Sequence, residues 1–423
     1  DGIVGPHHEK EGSYYTIKQL WSPVQIMNTS IDRLFDGKLS VENRYDYLNL
    51  NTCQFVWKQV KFPKVTDTSN ATTQILKEGK VQGSDVAAHA TGILDLKTSI
   101  LSDADALFLT AIDQYGHELW RWTFPIDKLN QPIEQYSPLS NRSTYTETEK
   151  ELTVKANNRT FVFSKVDGQL KGVSIDNRKI SFANGPRFIA ARRADRSLDQ
   201  FYNHDDEKAK EKDRTYSEFP DAAVFTNLDV KEDRGNLIVT AHYKLGNLDK
   251  AQWTINPSGV VTLDYTYNFS GVVDLMGIRF DYPEDQVLSK RWLGAGPYRV
   301  WQNRIHGTQY DIWENDYNDP IPGETFTYPE FKGYFGNVSW MNIRTKEGLI
   351  SLTNETPNSY IGIYQPRDGR DRLLYTLPES GISVLNVIPP VRNKVNSTDL
   401  CGPSSQPKWV DGSKTGRIVF RFE

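Results

Sequence analysis

Asp311, Glu314, Asp316 and Asp319 crowd one short stretch with carboxylate oxygens, the donor type that a hard cation such as Ca2+ takes. The spacing lacks the pattern and the glycine of an EF-hand loop, so a hydrated loop is the plainer reading. Trp301, Tyr310, Trp313, Tyr317 and Tyr328 surround it with flat rings. Such rings can stack on a sugar, although strand cores and edges use the same residues. The histidines His89, His117, His204, His242 and His306 could move protons near neutral pH. His242 lies in the alternating run 238–243, as a strand-face residue would, and His204 precedes a charged run that reads as a solvated loop or frayed helix. His306 follows Arg304 by two residues. Sets of Ser, His and Asp, phosphate-cradling glycine loops and basic amphipathic helices give no signal.

Composition limits what can hold these groups. The chain has 423 residues, enough for two or three domains. Lys and Arg number 50 against 54 Asp and Glu, for a formal charge of −4. That balance gives nucleic acid or an anionic membrane no electrostatic footprint. No run approaches the ~18 apolar residues of a membrane span. Hydrophobic residues make up 38% of the chain and aromatic ones 12%, which suits antiparallel sheets with one wet face. The two cysteines, Cys53 and Cys401, form no CxxC or Cys/His set, so neither a zinc site nor a disulfide framework is expected.

The elements follow from periodicity. Ser13 can cap a helix running to about Trp21, with Ile17, Leu20 and Trp21 on one face, and Pro23 stops it. So short a helix needs a partner for that face. Residues 24–126 read as short strands separated by turns, with a hairpin at Gln114-Tyr115-Gly116 leading to Trp120, Trp122 and Phe124, and predict an immunoglobulin-like β-sandwich. Residues 127–148 have no periodicity and read as a linker. Residues 149–423 are β throughout. In the clearest strand Val261, Leu263, Tyr265, Tyr267 and Phe269 point one way and Thr262, Asp264, Thr266 and Asn268 the other. The expected fold is all-β, with a large two-sheet supersandwich after the smaller sandwich and one short N-terminal helix.

The order of these segments resembles the C-terminal region of the family 2 glycoside hydrolases, the multidomain β-galactosidases in particular. The most specific match is Trp292-Leu293-Gly294-Ala295-Gly296-Pro297 followed by Arg304, which is similar to the W-L-G-x-G-P…R segment of that family's closing, galactose-mutarotase-like domain. Residues 161–170, then Pro186-Arg187-Phe188, agree with its opening strands, and 261–269 agrees after its turn. Residues 1–23 resemble the segment that leaves the family's catalytic (β/α)8 barrel. Departures stand beside the matches. Where the family has R-A-P-x-D-N-D, this chain has Ala191-Arg192-Arg193-Ala194-Asp195-Arg196, and Arg299 and Asn303 replace acidic residues. The family's late loop carries a tryptophan that reaches the sugar site; here residues 391–408 form a longer loop, with Trp409 at its end.

The resemblance implies a non-catalytic role. Retaining glycoside hydrolysis needs two carboxyl groups about 5–5.5 Å apart, which in this family are glutamates on barrel strands. The chain lacks the alternating strands and helices of a barrel, so those glutamates are expected upstream of Asp1. The implied function is to support the barrel and shape its carbohydrate site, with Arg304, His306, Trp313 and Trp409 as candidates for sugar contact. Expected partners are carbohydrate, the barrel and other copies of the chain, with no nucleic acid and no membrane. No cofactor is expected beyond the Ca2+ alternative at Asp311, Glu314, Asp316 and Asp319. Family habit suggests a periplasmic or extracellular setting, without excluding the cytoplasm. The rival readings are a free-standing carbohydrate-binding module and a sugar epimerase, the latter needing a histidine and a glutamate across the ring.

Overall fold

The computed structural model describes residues 3, 4, 8, 10, 12–67, 69–126, 142–193, 216–316, 333–363, 378–390 and 402–423. The predicted helix spans Gly12–Leu20, two residues earlier than a Ser13 cap would start it, so Ser13 lies inside the helix rather than capping it. Its apolar face is only partly covered. None of its residues is buried, and Trp21 just beyond it is 80% exposed. The helix is held mainly by polar contacts. Thr16 Oγ1 donates to the His306 carbonyl at 2.9 Å, Gly307 N donates to Gln19 Oε1 at 2.6 Å, and Lys18 pairs with Glu118 at 2.9 Å. Gly307 has a positive φ of 87°, and a Cβ there would strike the backbone of Tyr15 and Thr16, so only glycine lets the helix approach.

The next unit is a sandwich of two antiparallel sheets. One contains Val24–Ile26, Lys38–Asn43 and Thr91–Asp95; the other orders Gln74–Gln82, Gln54–Lys61, Ala106–Ile112 and Glu118–Pro125. Alternate residues of each strand face inward, and Leu39, Val41, Phe55, Trp57, Leu107, Leu109 and Phe124 meet in the core. Cys53 lies in that core as a buried free thiol, while Cys401 lies outside the described residues. The hairpin at Gln114-Tyr115-Gly116 is set by Asp113, whose Oδ1 accepts from the backbone N–H of Tyr115 and of His117.

Most of the rest of the described chain forms two large sheets face to face, with 11 and 9 strands, beside a two-stranded ribbon. The smaller runs from Val224–Asp233 through Val261–Asn268, Ser413–Phe422 and Gly348–Asn354 to Val287–Gly296 and Gln309–Asp316. The larger is centred on Arg159–Ser164, Leu170–Ile175, Ala183–Arg193, Leu275–Asp281 and Ile382–Val387. Val261, Leu263, Tyr265, Tyr267 and Phe269 point into the space between them, as the alternation predicts. Phe182, Phe280, Phe420 and Phe422 cluster there, with Phe182 stacked on Phe280 at 4.7 Å between centroids. Each such ring contributes roughly 1.5–3 kcal/mol by burial. Tyr267 keeps its hydroxyl satisfied by donating to Asn386 Oδ1 at 2.6 Å, and burial pushes the phenols of Tyr265 and Tyr267 upward in pKa. Of the segment read as a linker, 127–141 lies outside the described residues, while Thr144–Glu147 forms a strand paired with Glu151–Ala156.

The two sandwiches share a third core. Val60, Phe62, Val65 and Phe108 of the first pack on Leu293, Trp340 and Val419 of the second. Polar contacts rim this patch: Trp340 Nε1 donates to the Pro63 carbonyl at 3.2 Å, Asn342 Nδ2 to the Val65 carbonyl at 3.0 Å, and Arg121 pairs with Asp311 at 3.0 Å.

Candidate functional site

The outer face of the 11-stranded sheet gathers the residues best placed for function. Along Ala183–Arg193, Phe188 and Ala190 point into the sandwich core, whereas Arg187, Ile189, Ala191 and Arg193 take the other face. At ~3.3 Å per residue, Arg187 and Arg193 stand about 20 Å apart on that face. The two ends are built differently.

The Arg193 end is capped. Trp301, fully buried, sits with Val300 and Tyr334 on Ile189, Ala191, Leu275 and Leu385. The Arg193 guanidinium lies 5.9 Å from the Trp301 ring, its Nη1 donates to the Pro390 carbonyl at 2.9 Å, and its backbone N–H donates to the buried carboxylate of Asp274 at 2.9 Å. Gln302 joins this cap to the late segment, donating from Nε2 to the carbonyls of Ser404 at 2.9 Å and Gln406 at 2.7 Å. Lys408–Val410 then pairs with Gly271–Val273, which places Trp409 opposite Val272 with 68% of its surface exposed.

The four residues expected to contact sugar have distinct fates. Arg304 is half-buried in a tight turn, donating its backbone N–H to the Trp301 carbonyl at 2.9 Å. His306 is exposed and offers its carbonyl to the helix. Trp409 projects from the segment tied to Gln302, in the same neighbourhood. Trp313 is used in packing: a Cβ on Gly296 would overlap its ring, and its Nε1 donates to the Gln309 carbonyl at 3.0 Å. The glycine pattern of the W-L-G-A-G-P segment therefore has a structural cause, since Gly296 makes room for Trp313 and Gly294 lies against the backbone of Gly336, Asn337 and Val338.

The other candidate chemistry is dispersed. Asp311 accepts from Arg121 Nη2 at 3.0 Å and Thr73 Oγ1 at 2.9 Å at the boundary of the two sandwiches. Glu314 and Asp316 are exposed, and Asp319, like Tyr317 and Tyr328, lies outside the described residues. Among the described residues, which leave out Asp319, no group of three His, Cys, Asp or Glu could hold a metal ion. The described histidines with carboxylate partners pair with aspartates rather than a glutamate: His89 with Asp46 at 3.2 Å, His117 with Asp113 at 3.2 Å and His242 with Asp229 at 3.0 Å. His204 lies outside the described residues.

The Arg187 end, which sequence reasoning passed over, is polar and open. Arg187 faces Arg279 of the neighbouring strand in direct register. Arg187 forms an ion pair with Asp281, and its Nε donates to the Asn184 carbonyl at 2.8 Å. Burial, then the charge of Arg187, pulls the Arg279 pKa down, while Glu218 and Asp281 act in the opposite sense. Pro186-Arg187-Phe188 was conspicuous in sequence only as a strand opening; the register that brings Arg279 beside it is a long-range fact.

The comparisons with known proteins bear on this arrangement. Residues 155–386 match the family model described as beta galactosidase small chain. The chain belongs to that family. No curated protein matches it. Among solved structures, galactose 1-epimerase from Lactobacillus acidophilus is similar at 10% identity, over 67% of this chain and 99% of that one, with a TM-score of 0.39. A protein described as a mutarotase, YeaD from Salmonella typhimurium, is similar at 10% identity over 69% of this chain and 96% of that one, with a TM-score of 0.30. YidC from Thermotoga maritima is similar at 15% identity over 67% of this chain and 51% of that one, with a TM-score of 0.25. The architecture itself is read from the sheets described above.

Proposed function

We propose that this chain is the non-catalytic C-terminal portion of a family 2, β-galactosidase-like glycoside hydrolase, which buttresses the catalytic barrel and shapes the rim of its carbohydrate site. The family match over 155–386 carries the reading. It is supported by the order of segments, a short helix, an immunoglobulin-like sandwich at 24–126 and a mutarotase-like supersandwich from 149 onward. The described residues contain one α-helix and no alternation of strands and α-helices, so the two glutamates of retaining hydrolysis belong in this reading to a barrel outside the chain. Trp409 is the best-placed rim residue, an exposed ring on a segment fixed through Gln302. Arg304 and His306 lie on the loop beside it, and oligomerisation through other surfaces fits the same accessory role.

The test mixes the 423-residue chain with the separately produced barrel region encoded by the same genome and follows hydrolysis of a nitrophenyl β-galactoside. The chain alone is expected to be inert, and the mixture active. Turnover by the chain alone, or an inert mixture of folded parts, would refute the proposal. In the active mixture Trp409→Ala is expected to raise KM about fivefold, the size of a lost ring-stacking contact.

A further inference from the structure

At the Arg187 end the outer face opens into a cleft of about 990 Å3, at the upper end of the ~300–1,000 Å3 typical of small-molecule sites. Arg187, Arg279, Asp281, Glu347 and Glu379 line it, with Lys179, Glu284 and Asp285 completing its charged wall. Several of these groups are held in place. Glu347 accepts from Ser181 N at 3.0 Å, Ser181 Oγ at 2.6 Å and Tyr282 Oη at 3.2 Å. Asp281 accepts from Asn184 Nδ2 at 2.8 Å besides pairing with Arg187. Arg279 donates through Nη1 to the Glu379 carbonyl, and its Nε is buried without a hydrogen-bond partner. Two arginines directly opposite each other repel, and the next row of the same face, Ile189 and Leu385 flanking Gly277, shows that the sheet tolerates apolar residues there. Folding alone therefore does not call for this polar row.

We propose that the cleft binds a neutral polyhydroxylated ligand, a sugar ring or short oligosaccharide, at a site separate from the Trp409 rim. The other ligand classes fit poorly. The polar walls disfavour an apolar molecule. Carboxylates outnumber cations in the lining, five against three, which disfavours phosphate or sulfate. No metal-holding cluster exists among the described residues. A polyol instead presents donors to Glu379, Asp285 and Asp281 and acceptors to the two guanidinium groups, giving charge-assisted hydrogen bonds in a partly desolvated wall. Tyr282 is 3% exposed and its hydroxyl is engaged with Glu347, so recognition here is by hydrogen bonds around the ring rather than by stacking. The proposal rests on the accessory reading only for the choice of galactosides as probes.

Calorimetric titration of the 423-residue chain with galactose and with β-1,4-galactobiose tests it, inorganic phosphate serving as the contrasting probe. Saturable heat is expected from a sugar and none from phosphate. Arg279→Gln and the double variant Asp285→Asn with Glu379→Gln, whose residues are exposed, should each weaken sugar binding about tenfold while remaining folded, the loss of one charge-assisted hydrogen bond. Trp409→Ala should leave it unchanged. Absence of sugar binding, saturable phosphate binding, or wild-type affinity in the folded double variant would overturn the proposal. None of these results touches the barrel-mixing experiment, so the two readings fail separately.

Discussion

One strand face, Arg187 to Arg193, ends in two unlike environments. At Arg193 a tryptophan, an aspartate and the Pro390 carbonyl close over the sheet, and the charge is sealed under a fitted cap. At Arg187 the guanidinium stands beside a second one, both reach carboxylates or carbonyls, and the wall opens to solvent. The same residue type is thus structural at one end and available at the other. What decides is the covering segment: residues 299–304 are pinned across the Arg193 end by Gln302, while the described structure leaves a cleft at the Arg187 end.

That contrast can be broken from the capped side first. Trp301→Ala is expected to cost about 3–5 kcal/mol, because a fully buried indole leaves a cavity the sheet cannot refill; urea unfolding measures it, and a loss below about 1 kcal/mol would show the cap to be dispensable. Gly296→Ala comes next. Its methyl would displace Trp313 at the root of the same loop, an overpacking cost of about 1–3 kcal/mol readable as a lower midpoint at unchanged m-value. On the open side, Asp281→Ala should cost only about 1 kcal/mol, since the ion pair with Arg187 is one-third to one-half exposed, and added salt should shrink the difference. Trp409→Ala should change stability by less than about 0.5 kcal/mol, because most of the ring is already in water. A large destabilisation there would make Trp409 part of the cap and remove it from the rim.

Much of this plan was legible in the residues. The alternation at 261–269 gave its own orientation, Asp113 and Gly116 marked their hairpin, and the helix over 12–20 followed from its spacing and Pro23. What could not be read was who meets whom across long separations. Asp311 read as one of four carboxylates in a hydrated loop, with a cation as the alternative, yet its partners, Arg121 and Thr73, come from a different sandwich. Trp313 looked like a stacking ring, yet a glycine on the adjacent strand receives it. Arg187 and Arg279 carry no joint signal at all, because only the pairing of two distant strands makes them neighbours. Local periodicity reports which face a residue takes; the chemistry of that face depends on register.

The position of Ser413–Phe422 has a consequence for biosynthesis. This strand lies between Val261–Asn268 and Gly348–Asn354 in the middle of its sheet, so the strands on its two sides stay unjoined until residues 413–422 are in place. Until then each half presents unpaired N–H and C=O groups that invite pairing with another nascent chain. Loss of Ser413–Phe422 would therefore open the middle of a sheet and expose two edges at once, an aggregation hazard rather than a minor trimming.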